Sequence, residues 1–239
     1  MMKLLISPKD KEEAIEAIRG GADIIDVKNP DEGSLGANFP WVIKEIRKLV
    51  PENIEVSATI GDFPNLPGTA SLAALGVASI GVDYVKVGLY GINKLEDAIK
   101  LSSSVVRAVK DFNKKTRVVI SGYADFHRID SINYSLIPEI TRRTNADFAM
   151  LDTAIKDGRN IFNFLTLEEL RKFVVHSHKN GISVAFGGSL RKEHIETLCD
   201  MEVDVIGIRG AVCERNDRRG RISFEKVQYL RNIIDNYRK

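Results

Sequence analysis

Short apolar, β-branched runs alternate along the whole chain with longer stretches in which apolar residues recur at helical spacing. The short runs predict strands at residues 3–7, 23–28, 54–60, 83–88, 117–122, 147–152, 182–187 and 204–209. Between them, stretches such as Lys11-Glu12-Glu13-Ala14-Ile15-Glu16-Ala17-Ile18 read as amphipathic helices. Strands alternating with helices build parallel βαβ units. Eight such units in one domain, residues 1–239, predict a closed (β/α)8 barrel, with an open doubly wound sheet as the competing arrangement.

A quarter repeat lies inside this alternation. The even-numbered strands open on Gly21-Ala22-Asp23, Gly81-Val82-Asp83, Asn145-Ala146-Asp147 and Glu202-Val203-Asp204. These aspartates fall at the N-terminal ends of their strands, so they are expected to be turn residues with no part in the chemistry, which barrels carry at the opposite face. They do set the register. Five residues on from each aspartate stand Lys28, Gly88, Asp152 and Arg209, and three residues on stand Asp26, Lys86, Met150 and Gly207. Strand side chains alternate with period two, so both sets share the inner face, while Val27, Val87, Leu151 and Ile208 face the helices. Lys28, Asp152 and Arg209 are thus expected as an upper ring at the barrel mouth, with Asp26 and Lys86 roughly 6–7 Å lower.

Lys156, four residues beyond Asp152, brings a third lysine to this mouth. Like charges gathered out of water depress lysine pKa values, and a neutral amine is what imine formation with a carbonyl requires. A second amine can then move protons at the adjacent carbon, with Asp26 and Asp152 orienting both. The bland alternative is a set of interior ion pairs that fill the barrel. After the last two strands, Gly187-Gly188-Ser189 and Arg209-Gly210-Ala211 mark the usual barrel phosphate site, where bare backbone N–H groups can approach an anion. Strand five supplies Ser121, Tyr123 and Asp125 at alternate positions, then His127, for which acid–base and capping roles compete evenly. The long loop 29–38 is a candidate substrate-binding loop or lid. The charged segment 214–221 reads as solvated loop or, more sharply, as a contact for a substrate phosphate or a neighbouring subunit.

Composition narrows the partners. A net charge of +2, with scattered basic residues, leaves no nucleic-acid footprint. The N-terminal apolar run is four residues long, too short for a signal peptide, and no stretch reaches membrane-span length, so a cytoplasmic protein with no membrane partner is expected. Cys199 and Cys213 lack metal-ligand spacing and are expected as free thiols, and the four histidines form no metal motif. No metal or organic cofactor is expected. These features stop at a lysine-dependent barrel lyase or aldolase acting on a sugar phosphate; a class I aldolase, an isomerase and a non-catalytic phospho-ligand sensor all remain open.

At its strand ends the chain resembles the (5-formylfuran-3-yl)methyl phosphate synthases. The resemblance rests on Asp26-Val27-Lys28-Asn29-Pro30, Glu32-Gly33-Ser34-Leu35-Gly36-Ala37, Tyr84-Val85-Lys86-Val87-Gly88-Leu89-Tyr90-Gly91 and Gly122-Tyr123-Ala124-Asp125. It continues through Ala149-Met150-Leu151-Asp152-Thr153-Ala154-Ile155-Lys156-Asp157-Gly158, Lys192-Glu193-His194-Ile195 and Arg209-Gly210-Ala211. It implies condensation of two glyceraldehyde 3-phosphate molecules to a furan aldehyde phosphate, with loss of phosphate and water, for methanofuran-type cofactors. It further implies Lys28 as the Schiff-base lysine, Lys86 as the proton-transfer lysine, and Asp26, Asp152 and Lys156 as site residues. The implied partner is a phosphorylated triose; a homo-oligomer is a further expectation, with no interface legible in the chain.

Overall fold

The structure, a computed structural model, describes residues 2–237. Strands β1 (Lys3–Ile6), β2 (Ile24–Val27), β3 (Glu55–Phe63), β4 (Tyr84–Leu89), β5 (Arg117–Tyr123), β6 (Phe148–Asp152), β7 (Ser183–Phe186) and β8 (Val205–Ile208) pair in sequence order. All pairs are parallel, and β8 pairs back onto β1, which closes the barrel and rules out the open sheet. Around it lie α1 (Lys11–Arg19), α2 (Pro40–Leu49), α3 (Pro67–Ala78), α4 (Leu95–Phe112), α5 (Ile137–Thr144), α6 (Leu167–Lys179), α7 (Ile195–Asp200) and α8 (Phe224–Tyr237). The predicted strands are all present within a residue at each end, apart from β3, which runs three residues further.

Local chemistry explains the punctuation. The Asp10 carboxylate accepts from the Glu13 backbone N–H and starts α1, and Thr166 and Glu169 form a reciprocal capping box that starts α6. The outward strand positions Val27, Val87, Leu151 and Ile208 are all buried in the core between barrel and helices, as the register count requires. A second, inner apolar layer of Leu5, Ile24, Tyr84, Val119 and Phe148 fills the lower barrel. Beneath it Glu55 accepts from Lys3 Nζ at 2.6 Å and from the Tyr84 hydroxyl at 2.9 Å, and also pairs with Arg117, which lies 3.9 Å over the Tyr84 ring. This floor closes the N-terminal end, so small molecules enter from the other.

The repeated aspartates are structural, and their job is specific. The backbone N–H of Asp23, Asp83, Asp147 and Asp204 donates to the carbonyl of Leu4, Val56, Val118 and Val184, respectively. In return each carboxylate accepts the N–H of that same residue, at 2.7–2.8 Å. Each is also paired with a basic side chain from the helix layer: Arg231, Arg47, Lys110 and His178 in turn. Every even strand is thereby stapled to the odd strand before it. Cys213 is a buried free thiol, and among the described residues no helix is long and apolar enough to cross a membrane.

Candidate active site

The expected catalytic lysines and aspartates, Asp26, Lys28, Lys86, Asp152 and Lys156, and the two glycine turns, 187–189 and 209–211, line one cavity of about 570 Å³ at the C-terminal end of the barrel, whereas Tyr123 and Asp125 do not. Asp26 and Lys86 lie deepest, essentially without solvent exposure, with Lys86 Nζ 2.6 Å from Asp26 Oδ1. This contact is poorly aligned for a hydrogen bond, so among the described residues the Lys86 N–H groups have no regular acceptor. Ser7 Oγ donates to the other Asp26 oxygen at 3.1 Å. Burial acts to raise the Asp26 pKa, but the Lys86 and Lys28 ammonium groups outweigh it and hold the carboxyl below its ordinary value.

Lys28 stands one residue beyond the end of β2, and its backbone N–H donates to the Pro8 carbonyl, which keeps it in strand-like register. The residue is 8% exposed, and its Nζ donates to the Ser34 carbonyl at 3.3 Å. Burial pulls its pKa down to about 8; Asp152 and Asp26 oppose that shift, and Lys86 and Lys156 reinforce it. Asp152 ends β6 and accepts from Lys156 Nζ at 2.5 Å and from the Thr153 N–H at 2.7 Å. Burial again favours its neutral form, but Lys156 and Lys28 keep it ionised below the usual carboxylate range. Lys86–Asp26 and Lys156–Asp152 are therefore matched ion pairs, and Lys28, which feels both carboxylates, has no carboxylate hydrogen bond of its own among the described residues.

Two supporting elements hold the mouth. Asp125 does not face the cavity chemistry; its carboxylate accepts from the N–H groups of Ala154 (2.7 Å) and Ile155 (3.1 Å) and fixes the loop that carries Lys156. Tyr123 is fully buried and donates to Asp62, and burial with that neighbour raises its pKa well above the normal phenol value. Asp62, near the end of β3, was not singled out from the sequence. It accepts from the N–H groups of Ser34 (2.8 Å) and Leu35 (3.2 Å), so it anchors the very turn whose carbonyl receives Lys28. Gly33 is held so close that a Cβ there would collide with Asp62 Oδ2, in a backbone region (φ +139°) that favours glycine. The middle of the 29–38 loop is thus tied to β3 through Asp62 and to the loop after β6 through the Ser34 hydroxyl, which donates to the Thr153 carbonyl at 2.8 Å.

At the glycine turns, Gly188 (φ +84°) and Ser189 (φ +56°) bend the backbone sharply after β7, and a Cβ on Gly188 would come within 2.5 Å of Ile161. The N–H groups of Gly188, Ser189, Gly210 and Ala211 have no backbone acceptor among the described residues. Arg209 departs from the expected upper ring. Its guanidinium is turned onto the buried Glu13 carboxylate (2.7 Å) and the Ser7 carbonyl (2.6 Å), and its Nε donates to the Arg218 carbonyl at 2.6 Å. Glu13 sits on the buried face of α1 and demands a cation, which Arg209 supplies. The cation that reaches over the mouth is instead Arg218, from the charged 214–221 segment; its Nη2 donates to the Gly33 carbonyl at 2.9 Å.

A closed (β/α)8 barrel with lysine–carboxylate pairs at its C-terminal strand ends has the build of a barrel enzyme, the class to which the chain is assigned by its relatives. The 4-HFC-P synthase family profile matches residues 4–231, and the chain belongs to that family. Among its relatives, the (5-formylfuran-3-yl)methyl phosphate synthase of Methanopyrus kandleri is 53% identical over 97% of this chain and 98% of its own. The enzyme of the same name from Methanocaldococcus jannaschii is also 53% identical, over 97% of this chain and 99% of its own. Among solved structures, KGPDC from Streptococcus mutans superimposes with a TM-score of 0.68 at 15% identity, covering 98% of both chains. Phosphoribosyl anthranilate isomerase from Thermus thermophilus gives a TM-score of 0.63 at 16% identity, covering 98% of this chain and 99% of its own. These two share the fold.

Proposed function

We propose that the protein condenses two molecules of glyceraldehyde 3-phosphate into (5-formylfuran-3-yl)methyl phosphate through an imine on Lys28, releasing one inorganic phosphate and two waters, in the making of methanofuran-type cofactors. The observation that carries this reading is the state of Lys28, a buried amine brought down to about 8 in the field of two lysine–carboxylate pairs. At that pKa about one amine in ten is neutral at pH 7, against about one in three thousand for an unperturbed lysine.

For that product, the carbon skeleton sets which carbons must join. The ring carbon bearing the phosphorylated arm is the middle carbon of one triose. Its new carbon neighbour is the carbon of the other triose that has lost phosphate. An enamine attacking the aldehyde carbon of a second triose would give a different skeleton. Lys28 therefore holds the aldehyde carbon of the triose that loses phosphate. The Asp152–Lys156 pair protonates the departing carbinolamine oxygen as the imine forms. The Lys86–Asp26 pair takes the proton from the adjacent carbon, with Asp26 2.6 Å from the lysine Nζ. The enamine then expels phosphate from the third carbon, which leaves a conjugated iminium with an electrophilic terminal carbon. The second triose, as its enediol, attacks there through its middle carbon. The first triose's middle-carbon oxygen closes onto the second aldehyde, two waters leave to give the aromatic ring, and hydrolysis of the imine frees the formyl group. The water lost in forming the imine returns at that hydrolysis, so the balance closes.

Purified protein given glyceraldehyde 3-phosphate alone is expected to release one phosphate per furan aldehyde, followed by phosphate assay and growth of the furan ultraviolet band. Borohydride reduction during turnover, followed by peptide mass mapping, is expected to label Lys28. A reversible aldol product without phosphate release would establish an aldolase, and a label on Lys86 or Lys156 would reverse the lysine roles.

A further inference from the structure

Two triose phosphates bring two phosphate groups to the mouth, one retained and one expelled, and the glycine turns after β7 and β8 offer backbone donors for one. Arg209, beside those turns, is fully engaged with Glu13, Ser7 and Arg218. Arg218 is different. It is half-buried, lines the same cavity, and its guanidinium makes no ion pair with any described residue. The carboxylates that face it, Asp152 and Asp62, are already taken by Lys156 and by the Ser34, Leu35 and Tyr123 donors.

Its position is held from two sides. The Arg209 Nε–H binds the Arg218 carbonyl, and the Arg218 Nη2–H binds the Gly33 carbonyl at 2.9 Å. The next carbonyl along, Ser34, receives Lys28 Nζ at 3.3 Å. Adjacent carbonyls of one rigid turn thus hold the amine and the guanidinium. A triose tethered to Lys28 through its aldehyde carbon carries its phosphate on the third carbon, inside the cavity that Arg218 also lines.

We propose that Arg218 is the binding group for the phosphate that leaves. It takes the phosphate of the triose joined to Lys28 and stabilises the anion as the bond between the third carbon and oxygen breaks. The bonding pair goes to the phosphate oxygen while the enamine nitrogen supplies the electrons for the new carbon–carbon double bond. Guanidinium suits this role because its planar fork binds phosphate oxygens in pairs. Arg209 is then a positioning residue, linking buried Glu13 to the Arg218 backbone. This inference rests on the imine reading above.

The test is borohydride trapping with glyceraldehyde 3-phosphate in wild type, Arg218→Gln and Arg218→Lys, with the mass of the Lys28 adduct read in each. In Arg218→Gln the adduct is expected to form and to keep its phosphate, with phosphate release slowed about 100-fold and inhibition by inorganic phosphate weakened. Arg218→Lys is expected to recover part of the release. Unphosphorylated glyceraldehyde is expected to trap equally in all three proteins, which separates loss of this contact from a damaged site. Phosphate release at wild-type rate in Arg218→Gln, or equal loss of trapping with both aldehydes, would overturn the assignment. Absence of any adduct in wild type would instead refute the imine reading.

Discussion

Replacing Lys28 by Met should abolish turnover and at the same time stabilise the fold. The Lys28 ammonium is destabilised inside the barrel, as its shift from 10.5 to about 8 records. That difference, about 2.5 units at 1.36 kcal/mol each, amounts to roughly 3 kcal/mol. Methionine has nearly the same length and no charge to desolvate. The neighbouring carboxylates keep their partners, because Asp26 remains against Lys86 and Asp152 against Lys156. Part of the gain is offset because both carboxylates lose the Lys28 field, so about 1–3 kcal/mol is expected, or a rise of about 2–10 °C in Tm for a chain of this size. The pH dependence gives the sharper check. Below about pH 8 lysine is charged in both folded and unfolded chains, and the folded state carries the whole penalty. Between about 8 and 10.5 the folded amine is neutral while the unfolded one still binds a proton, so the penalty shrinks as pH rises and vanishes above the unfolded value. The Met variant should therefore lead wild type by its full margin at pH 7 and lose most of that lead by pH 10 in paired denaturant titrations. A variant less stable than wild type at pH 7, or a lead independent of pH, would refute the reasoning.

Three further outcomes follow from the same geometry. The rate of borohydride-trappable imine formation should rise with pH and level off near pH 8, because only the neutral Lys28 amine attacks; a flat profile from pH 6 to 9 would remove the basis for its role. Asp26→Asn and Lys86→Met should each cost about 3–5 kcal/mol, since each strands a buried charge, whereas the double substitution should cost clearly less; denaturant unfolding of the four proteins reads the coupling. Asp83→Ala, at the closed end of the barrel, should cost about 1–3 kcal/mol through the unsatisfied Val56 N–H, with kcat within about twofold of wild type.

The positions that were legible in the sequence are those tied to a repeat. The opening aspartates of the even strands gave a count from a fixed origin, and the count placed Asp26, Lys28, Lys86 and Asp152 on the inner face, where all four line the cavity. Asp62 escaped because β3 is an odd strand without that origin, and because its register shifts between Thr59 and Asp62, so alternation no longer tells which face a residue takes. Gly61, at φ +120° inside a strand-like run, was the local sign of that irregularity. Arg209 was placed correctly along the chain but not in direction, because its orientation depends on Glu13, a helix residue whose burial only the packed barrel reveals. Arg218 lies in a segment with no periodicity, and its reach to Gly33 spans 185 residues.

The aspartate staples also bear on how such a chain finds its closed form. They join β1 to β2, β3 to β4, β5 to β6 and β7 to β8 across only 19, 27, 29 and 20 residues. Each strand–helix–strand unit therefore has its own short loop closure, at low entropic cost, before any distant partner is in place. The remaining joins add one module to the next, and only the β8–β1 seam must bring the two ends of the chain together. Such an order keeps most native contacts local and leaves a single long-range closure, a favourable condition for rapid assembly of a parallel barrel.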